Sequence, residues 1–567
     1  MLFDKALNEK IIKQVEQFGA DGRLLQDKNK RIYKVNLTEK ILVTLLAKLS
    51  NFIPEAGIWL NTQRPEWNDA NNALVGNGTS MVTLYYIRRF LKFWTDKFEE
   101  TPTSGFKVSE EVKTLFDQIF RFFAENKKIL ETGFSDNERR LFADYLGNAG
   151  SNYRNGICEK SFCGIKKEIT AIELKSFAVL CIQYMDQSIK ANSREDGLYH
   201  SYNLISFSDE SVSVRHLYEM LEGQVAVLSS TYLSVNESLT VLDSLKASKL
   251  FRPDQYSYIL YPDRQLPLFI EKNSIQLQKL KASKLLQKLI EDDNEKIVSL
   301  DKNGNCHFNG TFRNSAVLSS AIDQLNSGSY AQLVESGKQE VLDIYEEMFD
   351  HKSFTGRSGT FYGYEGLGSI YWHMVSKLLL ATQECYFRGV KEEVDPAITG
   401  KIKDHYYEIK AGIGLYKSPS LYGAFPTDPY SHTPAHAGAQ QPGMTGQVKE
   451  DFIARMKELG LHIIDGQIVF NTSLMNPYEQ IIQDKIFEYY DLKGKRQQIS
   501  LTAGQLAFTY CQVPVVYTFW DNEQLWVSFK NGQRRSFKNK VIDKQTSALI
   551  FGRTDEITRI DLVIKFK

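Results

Sequence analysis

Acid chemistry is the first possibility that this sequence offers, in the stretch from Gly57 to Phe93. It contains the tetrad Glu66–Asp69, with polar residues on both sides, and an amphipathic helical pattern follows from Thr79. A carboxylic acid beside an indole ring is partly desolvated, which raises its pKa and lets it donate a proton near neutrality. Asp69, two residues after Trp67, is therefore a candidate general acid. The alternative is that Asp69 caps the next segment and Trp67 fills the core.

A second chemically rich stretch runs from Phe354 to Leu380. Its glycines precede the predicted helix and would let the backbone approach a ligand closely. Charged, aromatic and proton-labile side chains accompany them, namely Arg357, Tyr364, Glu365, Tyr371, Trp372 and His373. His373 could bind an anion or transfer a proton. It could equally be a hydrogen-bonded core histidine at the start of a helix.

The third stretch lies at the end of a long loop, residues 416–445, that is rich in proline, glycine and aromatic residues. A loop of this length in a compact domain is either disordered or functional, and its aromatic content argues against disorder. It ends in Gln440, Gln441, Thr445 and Gly446, just before a helical pattern. Thr445 at a helix N-terminus is suited to binding phosphate or a carboxylate. An ordinary threonine N-cap would look the same.

Composition narrows the function classes. The 567 residues include 69 basic and 69 acidic side chains, so no net charge favours nucleic acid. The six cysteines form no CxxC pair and no cluster with metal-ligand spacing, which predicts reduced thiols and no metal site. Neither a signal peptide nor a membrane span is indicated, and we expect a cytoplasmic protein.

Helical periodicity dominates up to about residue 460, and the pattern then changes to strands. The helical segments predicted are 4–19, 36–51, 79–99, 107–131, 168–192, 213–247, 274–298, 329–350, 365–389 and 446–459. Two hairpins, through Asp465–Gly466 and through a type I′ turn at Asn531–Gly532, and an alternating final segment predict a β-domain. No fixed repeat period is present, which favours a helical barrel or bundle over a solenoid.

The order and spacing of the three stretches resemble those of the inverting disaccharide phosphorylases, the cellobiose and chitobiose phosphorylase family. Glu66–Asp69 resembles the family's Asp-Trp-Asn-Asp segment, whose last Asp is the general acid. By the same resemblance His373, Thr445 and Gly446 bind phosphate. The residues that we expect to bind the substrate are Arg64, Glu66, Trp67, Asn68, Arg357, Tyr364, Glu365, Trp372, Gln440 and Gln441.

The resemblance implies a mainly α fold. We expect an (α/α)6-type helical barrel in residues 1–460, with an insertion at about 195–330, and a small antiparallel β-domain in residues 461–567. The implied activity is inverting phosphorolysis of β-linked glucosides or oligosaccharides to a sugar 1-phosphate. No cofactor is expected, inorganic phosphate being a co-substrate. An inverting hydrolase with Glu365 as its base and a non-catalytic carbohydrate-binding subunit are the alternatives.

The sequence also departs from the family pattern. Glu66 replaces the first Asp of the family segment, and Gln447–Glu450 replaces the small and aromatic residues that follow the family's Thr-Gly. The family's N-terminal β-sandwich, its first barrel helices and a phosphate-binding Arg have no counterpart before Asp69. We therefore expect the chain to correspond to the C-terminal half of a phosphorylase, barrel-like but incomplete at its N-terminus. A separate N-terminal half or a second copy of the chain is the expected protein partner.

Overall fold

The protein was examined as a computed structural model that describes residues 4–27, 31–61, 69–354, 368–415, 417–418, 432–433 and 448–565. The chain divides into two compact units, Met1–Met444 and Thr445–Lys567. Across the described ranges it is mainly helical, with 18 α-helices and several antiparallel sheets, including one in the C-terminal region. The predicted mainly α fold with a C-terminal β-region is confirmed at this level. None of the described helices is long and apolar enough to cross a membrane.

Sixteen of the helices precede the second unit. In chain order the helices are α1 Lys5–Phe18, α2 Leu37–Leu49, α3 Asp69–Ala73, α4 Met81–Glu100, α5 Glu110–Glu125, α6 Asp136–Lys160, α7 Ala171–Ala191, α8 Leu221–Ser229, α9 Val235–Ala247, α10 Phe269–Lys272, α11 Leu277–Ala282, α12 Lys284–Glu291, α13 Ser315–Asp323, α14 Ala331–Phe349, α15 Trp372–Lys391, α16 Pro396–Lys410, α17 Val448–Glu458 and α18 Lys544–Phe551.

Strands occur in both units. In chain order they are β1 Phe52–Ile53, β2 Gly57–Trp59, β3 Gly78–Ser80, β4 Gly105–Ser109, β5 Lys166–Thr170, β6 Tyr202–Phe207, β7 Val212–His216, β8 Phe251–Arg252, β9 Ser257–Tyr258, β10 Val298–Leu300, β11 Cys306–Phe308, β12 Ile370–Tyr371, β13 His432–Thr433, β14 Leu461–Ile464, β15 Gln467–Phe470, β16 Lys485–Tyr490, β17 Arg496–Leu501, β18 Gln505–Tyr510, β19 Val513–Phe519, β20 Gln524–Phe529, β21 Arg534–Phe537, β22 Val541–Ile542 and β23 Ile557–Ile564.

Three neighbouring helices of the first unit, α4, α8 and α15, begin at the same end. Ser201 joins the starts of α4 and α8, because its carbonyl accepts from Met81 N at 2.9 Å and its hydroxyl accepts from Gly223 N at 2.8 Å. The start of α8 is joined to the segment before α15 through Leu260, whose carbonyl accepts from Leu221 N and whose N–H donates to Ser369 O. We call this end of the helices the loop end.

Contacts farther along the same three helices show that they run in the same direction. Arg89 of α4 forms a bidentate ion pair with Glu384 of α15, at 2.7 and 2.9 Å. The same guanidinium donates to the carbonyl of Ser229, the last residue of α8. The three helices are therefore parallel neighbours with their N-termini at the loop end.

Helices α7, α9 and α16 run back in the opposite direction. Helix α7 begins where α4 has ended, with Ala171 N donating to Ser104 O. Gly389, near the end of α15, lies against Val235 at the start of α9 and Thr399 at the start of α16. Three antiparallel pairs, α4 with α7, α8 with α9 and α15 with α16, thus form two layers of helices. This arrangement is compatible with an (α/α)6 barrel, whose closure stays a prediction.

A five-stranded antiparallel sheet, in the order β1-β2-β3-β6-β7, lies at the loop end. Strand β3 leads directly into α4, so residues 79–80 are strand and not the predicted helix. Ser80 caps α4 by accepting from Thr83 N at 3.0 Å. The predicted helix 213–247 is likewise part of β7 followed by two helices, α8 and α9, since Ser230 and Ser234 end one helix and cap the next.

Helix α6 was missed at the sequence level. It carries few apolar residues for its length, and only five of its residues are buried, namely Phe142, Leu146, Ala149, Gly150 and Ile157. Its start is specified locally by a capping box in which Ser135 and Glu138 satisfy each other's backbone N–H groups. A weak apolar stripe explains why periodicity alone did not reveal it.

Residues 269–349 form a subdomain with its own core. Helices α10 to α14 and the antiparallel hairpin β10–β11 surround a cluster of buried residues that are all drawn from positions 275–349. Leu286, Leu289, Leu318 and Val341 are fully buried in it. Because every member of this cluster among the described residues comes from positions 275–349, the subdomain is a candidate independent folding unit.

The second unit is built mainly of strands. Its largest sheet has the order β18-β19-β23-β20-β21 and is antiparallel except where β19 pairs with β23 in parallel. That parallel pair corrects the expectation of an antiparallel domain, since the chain between β19 and β23 contains three further strands and α18, which allow the crossover. Helix α17 lies in this unit, although the sequence pattern placed it with the preceding helices.

Both predicted hairpins are present, but one turn type was wrong. Asp465 and Gly466 have φ of 49° and 77° between the paired residues Ile464 and Gln467, as a type I′ turn requires. In the second hairpin only Gly532 has positive φ, and Phe529 N donates to Gln533 O. The loop therefore has three residues ending in a left-handed glycine, not a two-residue type I′ turn.

The predicted alternation of the final strand is confirmed. In β23 the side chains of Ile560, Leu562 and Ile564 are buried, and those between them are partly exposed. Val515, Tyr517 and Val527 share their core. One face of the sheet is thus packed and the other is in contact with water.

Candidate active site

Most of the residues that the sequence singled out lie outside the part of the chain that the structure describes. For these the placement stays a prediction; they are Arg64, Glu66, Trp67, Asn68, Arg357, Tyr364, Glu365, Gln440, Gln441, Thr445 and Gly446. Asp69, Trp372 and His373 lie within the described ranges, although for Asp69 only the backbone position is described.

Asp69 is the first residue of the short helix α3, which is anchored in a hydrophobic cluster at the loop end. Ala70 and Leu74 are buried there with Tyr202, Met220 and Tyr261. Ala70 and Leu74 are four residues apart and thus lie on one face of the helix. The predicted acid is therefore placed at the start of a helix whose inner face is fixed.

The segments on either side of the predicted catalytic loop are also fixed. Leu60 N donates to Gly78 O at 2.9 Å, and Gly76 N donates to Leu60 O at 2.7 Å. Trp59 Nε1 donates to Gly76 O at 3.1 Å. The chain that enters the loop is thus bonded to the chain that leaves α3, which restricts where the loop can lie.

Trp372 and His373 open helix α15. Trp372 is only 1% exposed, while His373 is partly buried. The Tyr371 hydroxyl lies 3.0 Å from His373 Nδ1, and the two rings are in contact. Tyr371 is in turn paired with His432 of β13, so one described part of the proline-rich loop 416–445 lies beside the start of α15.

The structure brings the start of α3 and the start of α15 to one region. Leu260, which bonds to both α8 and Ser369, packs against the same hydrophobic cluster as Ala70. The next residue, Tyr261, is a buried member of that cluster. The region around residues 258–261 thus connects the elements that carry Asp69 and His373.

Sequence reasoning missed a buried carboxylate in this region. Glu222, in the first turn of α8, is 4% exposed and accepts a hydrogen bond from the Tyr202 hydroxyl at 2.6 Å. Tyr202 is 1% exposed and belongs to the cluster that holds α3. No sequence signal distinguishes Glu222 from an ordinary first-turn glutamate, because its burial depends on strand β6, which the periodicity did not reveal.

A buried lysine next to Trp372 was also missed. Lys417 Nζ lies 5.3 Å from the centre of the Trp372 ring and donates to Gln255 Oε1 at 3.3 Å. Burial, followed by the nearby charge of Arg252, lowers the pKa of Lys417 to about 8. Gln255 and Ser257 are buried, whereas Asp254 and Tyr256 of the same segment are exposed, so this segment lies partly at the surface.

Metal ligands are not clustered in the described part of the chain. No group of three or more His, Cys, Asp or Glu side chains that could hold a metal ion occurs there. The chemical groups assembled at the loop end are instead a helix-borne acid position, a histidine, buried aromatic rings and three helix N-termini.

Comparison with known proteins identifies one part of the chain. Residues 266–352 match a family model described as GH149 phosphorylase insertion domain 2. The matched region coincides closely with the subdomain that has its own core. No curated protein matches the chain.

The match agrees with the sequence-based resemblance at the level of a phosphorylase, without pointing to the cellobiose and chitobiose enzymes in particular. It covers one insertion domain and leaves the helices of the candidate site outside it. Within those bounds, the match supports a glycoside phosphorylase family of the GH149 type.

Proposed function

We propose that the chain catalyses inverting phosphorolysis of β-linked glucosides or related oligosaccharides, with release of a sugar 1-phosphate. Asp69 acts as the general acid, and His373, Thr445 and Gly446 bind phosphate. Inorganic phosphate is the co-substrate, and the chemistry requires no cofactor. The family match to a phosphorylase insertion domain supports the reaction class, and the substrate, linkage and stereochemistry are proposed from the resemblance.

The observation that carries the proposal is the common position of the starts of α3, α4, α8 and α15. Backbone N–H groups at a helix N-terminus have no partner within the helix, and the helix dipole is positive there. The N–H groups of Met81, Val82 and Leu221 are already bonded to backbone carbonyls, so it is the positive ends of the three helix dipoles that favour an anion at this end. The Glu222 carboxylate in the first turn of α8 offsets part of this effect. His373 lies in the first turn of α15, at this end, where a phosphate would be attracted.

The contact between Tyr371 and His373 suits phosphate binding. When the Tyr371 hydroxyl donates to Nδ1 at 3.0 Å, the imidazole proton is on Nε2. A neutral histidine with this proton position can donate a hydrogen bond to a phosphate oxygen. Tyr371 would thus select the tautomer, as the partners of other functional histidines do.

The proposed reaction needs only one protein carboxyl. Asp69 donates its proton to the glycosidic oxygen as the bond from that oxygen to the anomeric carbon breaks. A phosphate oxygen forms the new bond on the opposite face of the same carbon, so the configuration inverts. Phosphate takes the place that water and a base occupy in an inverting hydrolase.

We expect the sugar to be bound by the residues around these groups. Trp67 and Tyr364 would pack on the flat faces of sugar rings, and Arg64, Arg357 and Glu365 would bind hydroxyl groups. Trp372, which is 1% exposed, would support this sugar-binding surface from behind. The other proposed contacts are Glu66, Asn68, Gln440 and Gln441. Oligosaccharide and phosphate are therefore the proposed binding partners.

The decisive experiment measures phosphate release from α-glucose 1-phosphate in the presence of a panel of sugar acceptors. We expect phosphate release by the wild-type chain, either alone or together with a separate N-terminal half, and we expect Asp69→Asn to be slower in the same setting by about 10²–10⁴-fold, the usual contribution of a positioned acid. Asp136→Asn is a matched control, because Asp136 also lies in the first turn of a helix, α6, without being part of the site.

Two results would contradict the proposal. Full activity of Asp69→Asn would remove the assigned acid. Cleavage of an oligosaccharide in phosphate-free buffer at an undiminished rate would show that water is the acceptor, which is the hydrolase alternative.

A further inference from the structure

We propose that Tyr202 and Glu222 form a positioning pair that holds the start of α3, and with it Asp69, in place relative to α8 and α15. The inference rests on the proposed function, in which Asp69 is the acid. Neither residue is assigned to substrate or phosphate; both act through α3.

The ring of Tyr202 forms part of the surface against which α3 packs. It is 1% exposed and lies in one buried cluster with Ala70 of α3 and with Leu74, the residue that directly follows α3 and bonds back to Ala70. Helix α3 has five residues, which is too short to be stable without such packing. The position of Tyr202 therefore determines where α3 lies.

Glu222 fixes the far end of the Tyr202 side chain. Its carboxylate accepts from the Tyr202 hydroxyl at 2.6 Å, a length typical of a charge-assisted hydrogen bond. Glu222 is 4% exposed, so its desolvation is costly unless the carboxylate is well hydrogen-bonded. Its place in the first turn of α8 offsets part of that cost, because the helix dipole favours a negative charge there.

The pair connects α3 to the part of the site that contains His373. The start of α8 is bonded to Leu260 and, through Leu260, to Ser369, four residues before His373. A shift of Glu222 would move Tyr202 and α3, whereas the α8–α15 connection would remain. The distance between the acid and the phosphate site thus depends in part on the hydroxyl–carboxylate hydrogen bond between Tyr202 and Glu222.

A phenylalanine would fill the volume of the Tyr202 ring but would lack the bond to Glu222. Tyr202→Phe therefore tests the loss of the hydrogen bond to Glu222 without loss of the packing of the ring. Glu222→Gln keeps an oxygen that can accept from Tyr202, whereas Glu222→Met has a similar length and no comparable acceptor. If the pair positions α3, Glu222→Gln should retain function that Glu222→Met loses.

The test measures kcat and KM for phosphate release, together with amide hydrogen exchange in the peptide that covers residues 69–78. We expect Tyr202→Phe and Glu222→Met to lower kcat about 10–100-fold, as small misplacements of catalytic groups do. The KM for the sugar phosphate should change less than about threefold, and exchange in residues 69–78 should become faster. Glu222→Gln should keep at least about half of the wild-type kcat.

Glu237→Met is the matched control. Glu237 is also a first-turn glutamate that accepts side-chain and backbone hydrogen bonds, but it lies at the start of α9, at the opposite end of the helices. This variant should lower the thermal midpoint without changing kcat or the exchange of residues 69–78. Circular dichroism of each variant shows whether the fold is retained.

The outcomes separate this inference from the proposed function. If the wild-type chain releases phosphate and Tyr202→Phe keeps full kcat with unchanged exchange, the positioning pair is wrong and the function stands. If the wild-type chain has no activity with any acceptor, the proposed function fails. In that case unchanged exchange of residues 69–78 in both Tyr202→Phe and Glu222→Met would also overturn the pair, and faster exchange would support it.

Discussion

Adjacent side chains at the loop end have different structural roles. Trp372 is buried and supports the start of α15, whereas the next residue, His373, is partly exposed and bonded to Tyr371. Neighbouring residues in the first turn of a helix point in different directions, since successive side chains are about 100° apart around the axis. The two positions therefore divide into one that packs and one that is partly accessible to solvent.

His373 should affect phosphate more than sugar. His373→Gln is expected to raise the KM for phosphate about tenfold or more, the loss of a hydrogen bond to a charged group, with a smaller effect on the sugar acceptor. Tyr371→Phe should also raise the KM for phosphate, but by a smaller factor, because it removes only the hydroxyl that selects the tautomer of His373. Initial rates at varied phosphate and at varied sugar distinguish the two constants, and an equal effect on both would argue against a phosphate-specific role.

Two other histidines should make the stability of the chain depend on pH. His200 and His216 stack with ring centres 4.1 Å apart, and burial lowers the pKa of His200 to about 4 and also lowers that of His216. In an unfolded chain the pKa of a histidine is about 6.5. As the pH falls below that value, the unfolded state therefore binds more protons than the folded state, which favours unfolding. The two neutral histidines therefore contribute fully to the free energy of unfolding above about pH 6.5, and this contribution is lost as the pH falls towards 4.

Urea denaturation at pH 7.5 and at pH 5 measures this loss. The free energy of unfolding should be lower at pH 5, and the double variant His200→Gln and His216→Gln should show a smaller difference between the two pH values. An unchanged difference in the variant would assign the pH dependence to other groups.

At the scale of elements, the close approach of backbone segments limits which residues can be changed. Helix α16 continues into a π-helical turn, Ala411–Leu415, that touches the 253–258 segment. A Cβ at Gly412 would lie 2.1 Å from the carbonyl oxygen of Tyr256, whereas a Cβ at Gly400, within α16, would meet nothing within 4 Å. The same substitution should therefore have opposite effects at the two glycines.

Gly412→Ala should lower the free energy of unfolding by about 1–3 kcal/mol, the usual cost of overpacking. Gly400→Ala should raise it by about 0.5–1 kcal/mol, because alanine restricts the unfolded chain and favours a helix. Urea denaturation of both variants beside the wild type checks the prediction. A change of the same sign in the free energy of unfolding of both variants would show that the close contact with the Tyr256 carbonyl does not determine the effect of Gly412→Ala.

The elements differ in how far sequence could predict them. Apolar periodicity identified α4, α7, α14 and α15, because each buries a continuous stripe, and Asp-Gly identified the β14–β15 turn. It did not separate α8 from α9, because every residue of α8 is buried. It also did not reveal β6 and β7, because β6 is buried on both faces over its first four residues and β7 has only one buried residue. The sequence was sufficient to predict that Asp69 lies at a helix start. It was not sufficient to predict the Tyr202–Glu222 hydrogen bond, because that bond joins a strand and a helix that only the fold brings together.

At the scale of the whole molecule, residues 266–352 are the region most expected to fold alone. Their core is drawn only from positions 275–349. We expect the isolated fragment 266–352 to unfold cooperatively in urea, and Leu286→Ala to lower its stability by about 2–5 kcal/mol, as loss of a fully buried leucine does. A fragment without a cooperative transition would show that the subdomain depends on the rest of the chain.

The hydrogen bond between Leu260 and Ser369 has a consequence for how this chain can change over evolution. The chain leaves the helical layers just after Leu260 and returns just before Ser369, so that everything between, including the GH149-type insertion domain, is attached at two adjacent points. Inserting a folded unit at such a site costs little loop-closure entropy. The insertion could therefore be exchanged for another without rebuilding the helices, provided that the ion pair between Asp350 and Arg215 of β7 is replaced.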